Sequence, residues 1–151
     1  MKRLLPLLLL VTACGTPPDE VPAGADVEYL NTPEYLEMGV PFSEAVRVDN
    51  MLYLAGQVGN LPGQFVLVEG GIQPETRQTM ENIKAALERY GSSMDEVVKC
   101  TVFLEDMAEW GAMNEIYRTY FPENPPARSA VGSNGLAINA RVEIECMAAM
   151  R

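Results

Sequence analysis

The sequence predicts an α+β domain, with a mixed β-sheet carrying two helices on one face. Two stretches place apolar residues at spacings of three and four, the period of a helix with one buried side. Several shorter stretches alternate or are rich in β-branched residues, the mark of strands. Their order is β-β-β-α-β-α-β-β. Two helices cover only one face of such a sheet, so the other face calls for cover from a partner subunit. The chain has 151 residues, 48% hydrophobic and 21% charged. That is enough for one folded domain with its own core and too little for two.

The elements follow in order. Ala45 to Val48 and Met51 to Ala55 flank Asp49-Asn50 and read as a hairpin. Gly56-Gln57 ends the second strand. Residues 60–63 read as loop, and Phe65 to Val68 as a third strand before Gly70-Gly71. The first helix is predicted to start near Pro74 and to bury Met80, Ile83, Leu87 and Tyr90, with Gly91 stopping it. Val97 to Leu104 is a β-rich run. Asp106 then opens a second helix, with Glu109 as its capping-box partner and a core-facing stripe of Trp110, Met113, Tyr117 and Tyr120. Two strands close the chain. Arg128 to Val131 is short. In Arg141 to Met147, Val142, Ile144 and Cys146 face one way and Arg141, Glu143 and Glu145 the other.

The first residues read as an address rather than as fold. Met1 to Ala13 joins a positive start, Lys2-Arg3, to an apolar run, Leu4 to Val11. It is too short to span a bilayer and long enough for a signal peptide. It ends in Val11-Thr12-Ala13-Cys14, which resembles the bacterial lipobox, whose cysteine is lipidated. Residues 1–13 are therefore expected to be a lipoprotein signal peptide. Residues 14–26, rich in Pro, Gly and acid, are expected to be a lipid-bearing tether on Cys14, and residues 27–151 the folded domain. Gly15 after the cysteine favours the periplasmic face of the outer membrane.

Charge and composition exclude several functions. The net charge is −10, and without Lys2 and Arg3 the balance is 9 basic to 21 acidic residues, or −12. Such a surface repels nucleic acid, so no nucleic-acid partner is expected. Histidine is absent, which removes Ser-His-Asp and Cys-His catalysis and every metal site that needs imidazole. Any acid–base chemistry must therefore use carboxylates, Tyr, Lys, Cys or water. Cys100 and Cys146 lie among apolar neighbours and read as buried thiols acting as small hydrophobes. An oxidising compartment also permits a disulfide between them, which spacing does not decide.

Seven segments, taken together, resemble the Rid (reactive intermediate deaminase, YjgF-like) family. They are Pro41 to Val46, Leu54 to Gln57, Glu75 to Gln78 with Asn82, Val97 to Leu104, Asn114 with Tyr117, Pro126 to Ser129, and Val142 to Glu145. The likeness runs from about Gly39 to Ala148 with the elements in family order. It implies a chorismate-mutase-like fold assembled as a homotrimer with clefts between subunits.

The resemblance also implies a reaction, the hydrolysis of 2-imino acids to 2-keto acids and ammonia, with no metal and no cofactor expected. Arg128 matches the family's substrate-binding arginine, and a guanidinium's planar fork suits a carboxylate. Glu143 matches the glutamate that orients or activates the attacking water. Arg128 and Glu143 are thus the expected catalytic pair, and Arg128, Gly56, Phe42 and Ala130 the expected substrate contacts. Spacing alone also admits a salt bridge from Arg128 to Glu143 or Glu145. The chain departs from the family pattern at Phe42 (Tyr in its deaminases), Ala55 (Ser), Ala130 (Cys) and Glu44 (a common Gln). A retained arginine with fewer polar neighbours keeps a second reading open, a membrane-tethered trimer that binds a small carboxylate without turning it over. A purely structural trimer is a third.

Overall fold

Asp49 takes a left-handed backbone (φ 51°), a conformation that Asp tolerates and short hairpin turns use. It joins β2 (Ala45–Val48) to β3 (Met51–Leu54), with Val48 opposite Met51. The structure is a computed structural model that describes residues 24–150. Around the hairpin stand β1 (Val27–Leu30), the short helix α1 (Pro33–Glu37), β4 (Gln57–Val58), α2 (Ile72–Arg89), β5 (Val97–Leu104), α3 (Trp110–Tyr117), β6 (Ala127–Gly132) and β7 (Val142–Ala149). One seven-stranded sheet runs β1-β2-β3-β7-β5-β6, and β4 pairs with β7. Among the described residues only β5 and β6 are parallel neighbours, and α3 lies in the connection between them. From β2 onward the order is the predicted β-β-β-α-β-α-β-β.

The core lies between the sheet and α2 and α3. Met80, Ile83 and Leu87 of α2 and Met113 of α3 meet Cys100, Val102 and Leu104 of β5 and Val142 and Ile144 of β7, all fully buried. Each large side chain buried in this way contributes roughly 1.5–3 kcal/mol. Gly91, at φ 82°, ends α2 in the left-handed conformation that glycine adopts without strain. On β7 the predicted alternation holds along its whole length. Tyr53, Lys99, Thr101, Glu145 and Met147 form the opposite face, which is left partly exposed.

The structure corrects several sequence expectations. Phe65 to Val68 is not a sheet strand. The Leu61 amide donates to the Val66 carbonyl and the Val68 amide to the Gly59 carbonyl, while the Asn60 amide group donates to the Gln64 carbonyl. The segment thus folds back on residues 59–61, and the strand that follows the hairpin is β4, Gln57–Val58. The helix predicted near Pro74 starts at Ile72. No capping box forms at Asp106. Its carboxylate accepts from the Ala108 amide, but Glu109 turns away to pair with Arg141 at 2.7 Å. That geometry makes residues 107–109 a 3₁₀ turn ahead of α3. Trp110 leaves the expected core stripe and is 44% exposed. The short helix α1 had no apolar period to announce it, since none of its residues is buried. The Asp26 amide donates to the Asp49 carboxylate and Arg47 pairs with Asp26, so the last residue of the expected tether is held by the fold. Residues 1–13 and Cys14 lie outside the described residues.

Cys100 and Cys146 are directly opposite each other on β5 and β7 and are joined as a disulfide. The expectation of two free thiols is corrected, although the expected burial is observed, at 0% and 1% exposure. Antiparallel register explains the bond, because facing residues bring their Cβ atoms within reach. The bridge closes a loop of 46 residues. Loop-closure entropy then puts the cost of removing it at about 4 kcal/mol. Cys100→Ala with Cys146→Ala is expected to lower the denaturant midpoint accordingly, and reduction of the unfolded wild type should do the same on refolding.

Candidate functional site

Glu143 sits on β7 between the buried Val142 and Ile144, so its side chain emerges on the opposite face of the sheet from the helices. The start of this strand is fixed from behind. Glu75, in the first turn of α2 and only 4% exposed, accepts from the Arg141 amide at 2.6 Å and the Val142 amide at 3.4 Å. Burial pushes the Glu75 carboxyl above the usual carboxylate range, and those two amides pull the other way. In front, the Glu143 carboxylate lies against the bare backbone of Gly56, where a Cβ would overlap its oxygen. Glycine is required there for close approach. Burial raises the proton affinity of Glu143, and the neighbouring negative charge of Glu145 raises it further. A carboxylate of this kind is a stronger base than one in water.

Glu143 lines an open cavity of about 150 Å³ together with Tyr35, Phe42, Gly56, Phe65 and Ile138. Tyr35, carried by α1, meets Phe42 edge-on with ring centres 6.2 Å apart. Burial, with the charge of Glu44, pushes the Tyr35 hydroxyl up to about 12, so it stays protonated at neutral pH. Glu44 is itself buried, ion-paired to Arg89 and accepting from the Tyr90 hydroxyl at 2.7 Å. Ile138 takes φ 50° and ψ 25°. For a β-branched residue that conformation costs on the order of 1–3 kcal/mol.

Arg128 stands elsewhere. It pairs in register with Cys100, whose side chain is in the core, and its guanidinium lies 4.6 Å above the ring of Tyr117 on α3. It therefore belongs to the helix face of the sheet. Its Nη1 donates to the Asn114 Oδ1 at 2.6 Å. The Tyr117 hydroxyl beneath is buried without a hydrogen-bond partner among the described residues, and burial pushes it up to about 12 against the pull of Arg128. A wide depression of about 330 Å³ opens over Arg128, Asn114 and Phe121. Ala130, two residues further on, packs on the core. The salt bridge from Arg128 to Glu143 or Glu145 does not form in the chain.

Of the residues the sequence singled out, Phe42, Gly56 and Glu143 come together and Arg128 and Ala130 do not. Within one chain Arg128 and Glu143 lie on opposite faces of the sheet. Sequence reasoning missed Tyr35, Phe65 and Ile138 as lining and Glu75 as the clamp behind Glu143. Among the described residues there is no group of three or more Cys, Asp or Glu suited to hold a metal ion, and no helix long and apolar enough to cross a membrane.

Comparison with known proteins gives the family. The family described as Endoribonuclease L-PSP matches residues 33–150. A RutC family protein of Pyrococcus horikoshii is 44% identical over 108 residues, covering 72% of this chain and 86% of that protein. The 2-iminobutanoate/2-iminopropanoate deaminase of Mus musculus is also 44% identical over 108 residues, covering 72% of this chain and 80% of its own. Among solved structures, E. coli TdcF with bound serine superposes with a TM-score of 0.70 at 28% identity, over 74% of this chain and 90% of that one.

Proposed function

Since this chain belongs to the Endoribonuclease L-PSP (Rid) family, we propose that it hydrolyses 2-imino acids to 2-keto acids and ammonia. One observation carries the reading, namely the Glu143 carboxylate, raised in proton affinity, in the lining of a cavity. A water held by Glu143 attacks the carbon of the C=N bond and gives up a proton to the carboxylate. The C=N electron pair moves to nitrogen, which takes up a proton. Glu143 passes the proton on to the nitrogen, and the carbinolamine then gives its hydroxyl proton to the Glu143 carboxylate and forms the carbonyl as the protonated nitrogen leaves as ammonia. The substrate carboxylate is taken by Arg128, whose fork offers two charge-assisted hydrogen bonds. Two relatives support this chemistry by name, since mouse and human proteins 44% and 41% identical to the chain are called 2-iminobutanoate/2-iminopropanoate deaminase.

Because Arg128 and Glu143 lie on opposite faces of one chain's sheet, the working site takes Arg128 from one subunit and Glu143 from its neighbour. The partly exposed sheet face supports the same arrangement as a homotrimer, a partner supplying the cover that the two helices do not. Ribonuclease activity is disfavoured by the net charge of −10, which repels a polyanion. The test is ammonia release from 2-iminopropanoate, made in the assay by an amino-acid oxidase. Acceleration over spontaneous hydrolysis supports the reading, and its absence in folded protein sinks it.

A second reading keeps the site and drops the turnover, making the protein a binder of small carboxylates. The serine bound to TdcF favours it. In either reading the domain is anchored through a lipid on Cys14, an inference from the sequence that the buried disulfide supports by fitting an oxidising compartment. Labelled palmitate incorporated by the wild type and not by Cys14→Ser is the expected result, and equal labelling would refute the anchor.

A further inference from the structure

We propose that the cavity beside Glu143 receives the substrate's side chain and is built for a branched or aromatic one, so that bulky apolar 2-imino acids are preferred over 2-iminopropanoate. The inference rests on the imine reading of the same site and names the substrate class within it. Three aromatic rings from three separate segments line the cavity. They are Tyr35 from α1, Phe42 from the loop before β2, and Phe65 from the loop after β4. Its volume of about 150 Å³ is that of an apolar cavity known to take up benzene.

Phe42 and Phe65 are 54% and 57% exposed at its mouth. Clustered apolar surface left open in this way marks a binding site more often than a packing defect. Ile138 supplies an independent observation. A β-branched residue in the left-handed region persists only where its surroundings hold it, and here its side chain forms part of the wall. Such strain gathers at sites that position a ligand. The carboxylate of Glu143 also excludes acidic side chains from the same space by charge repulsion.

A methyl side chain leaves most of this cavity empty. Each further buried methylene is worth about fourfold, so an isobutyl group, three carbons larger than methyl, should gain roughly 60-fold in kcat/KM, and a benzyl group at least as much. The experiment compares imino acids made in the assay from alanine, leucine, phenylalanine and glutamate, each against its spontaneous hydrolysis. Leucine- and phenylalanine-derived imines are expected to lead, and the glutamate-derived one to trail.

Ile138→Asn keeps a residue that tolerates the left-handed backbone. It is expected to lower the ratio of leucine- to alanine-derived turnover about tenfold, as is Phe65→Ser. Calorimetric titration with 4-methyl-2-oxopentanoate and with pyruvate reads the same preference without turnover. Tighter binding of the former in a protein that accelerates no imine would retire the hydrolysis and keep the side-chain pocket. Equal turnover and binding of small and bulky compounds, or a ratio unmoved by Ile138→Asn, would overturn the inference while leaving imine hydrolysis standing.

Discussion

Arg128→Ala is expected to lower kcat/KM for imine hydrolysis by roughly 100- to 1000-fold, the loss of two hydrogen bonds to a charged group. The folded protein should barely change. Among the described residues Arg128 makes one side-chain hydrogen bond, to Asn114, and stacks on the Tyr117 ring, so unfolding should shift by about 1 kcal/mol. The separation of the two readouts distinguishes substrate binding from a structural role. Arg128→Lys keeps the charge without the fork, and it should recover only part of the loss. A variant that fails to assemble would instead mean that the arginine holds subunits together. Full activity in Arg128→Ala would place the substrate carboxylate elsewhere, with Arg118 beside the same depression as the next cation to test.

Glu143→Gln removes the base and leaves the shape, and a loss of about 100- to 10,000-fold in kcat is expected. The pH profile carries a sharper signature. Burial and Glu145 both favour the protonated form of Glu143, and only the deprotonated form can accept a proton from water. Activity should therefore rise with pH through a limb that lies above the ordinary carboxylate range. Glu145→Gln deletes the like charge, so Glu143 gives up its proton more readily and the limb moves to lower pH. A limb that stays in place in Glu145→Gln, or survives in Glu143→Gln, would assign it to another group. Glu75 is a weaker candidate, because both its amide donors belong to the backbone of the β7 entry.

The regular part of the fold was legible because burial is periodic. The α2 stripe of Met80, Ile83 and Leu87 and the alternation of Val142, Ile144 and Cys146 each repeat the period of their element. The departures have physical causes. Phe65 and Val66 have strand composition, but the segment pairs locally with residues 59–61 through the Val66 carbonyl and the Val68 amide, and the two apolar side chains stay outside. Glu109 fits a capping box, yet Arg141, distant in sequence at the entry to β7, outcompetes the local amide. The Cys100–Cys146 bond depends on register between β5 and β7, a long-range fact that spacing does not carry.

The site was legible one residue at a time. Glu143 and Gly56 fall together, with the Gly56 backbone pressed against the carboxylate. The opposite placement of Arg128 follows from the parallel register of β6 on β5, which sets Arg128 beside Cys100 and thus on the core side. No linear pattern shows that. Tyr35 and Ile138 escaped notice for the same reason, since an unburied five-residue helix and a strained turn leave no period to read.

Equal amounts of Arg128→Ala and Glu143→Gln chains, refolded together, test whether the site lies between subunits. Random assembly gives each shared site an intact Arg128 and an intact Glu143 about one time in four, so roughly a quarter of wild-type activity should return from two inactive parents. No recovery in mixed assemblies of confirmed composition would mean that one chain supplies both groups or that they never act together, and the account of the site given by this sheet would be wrong.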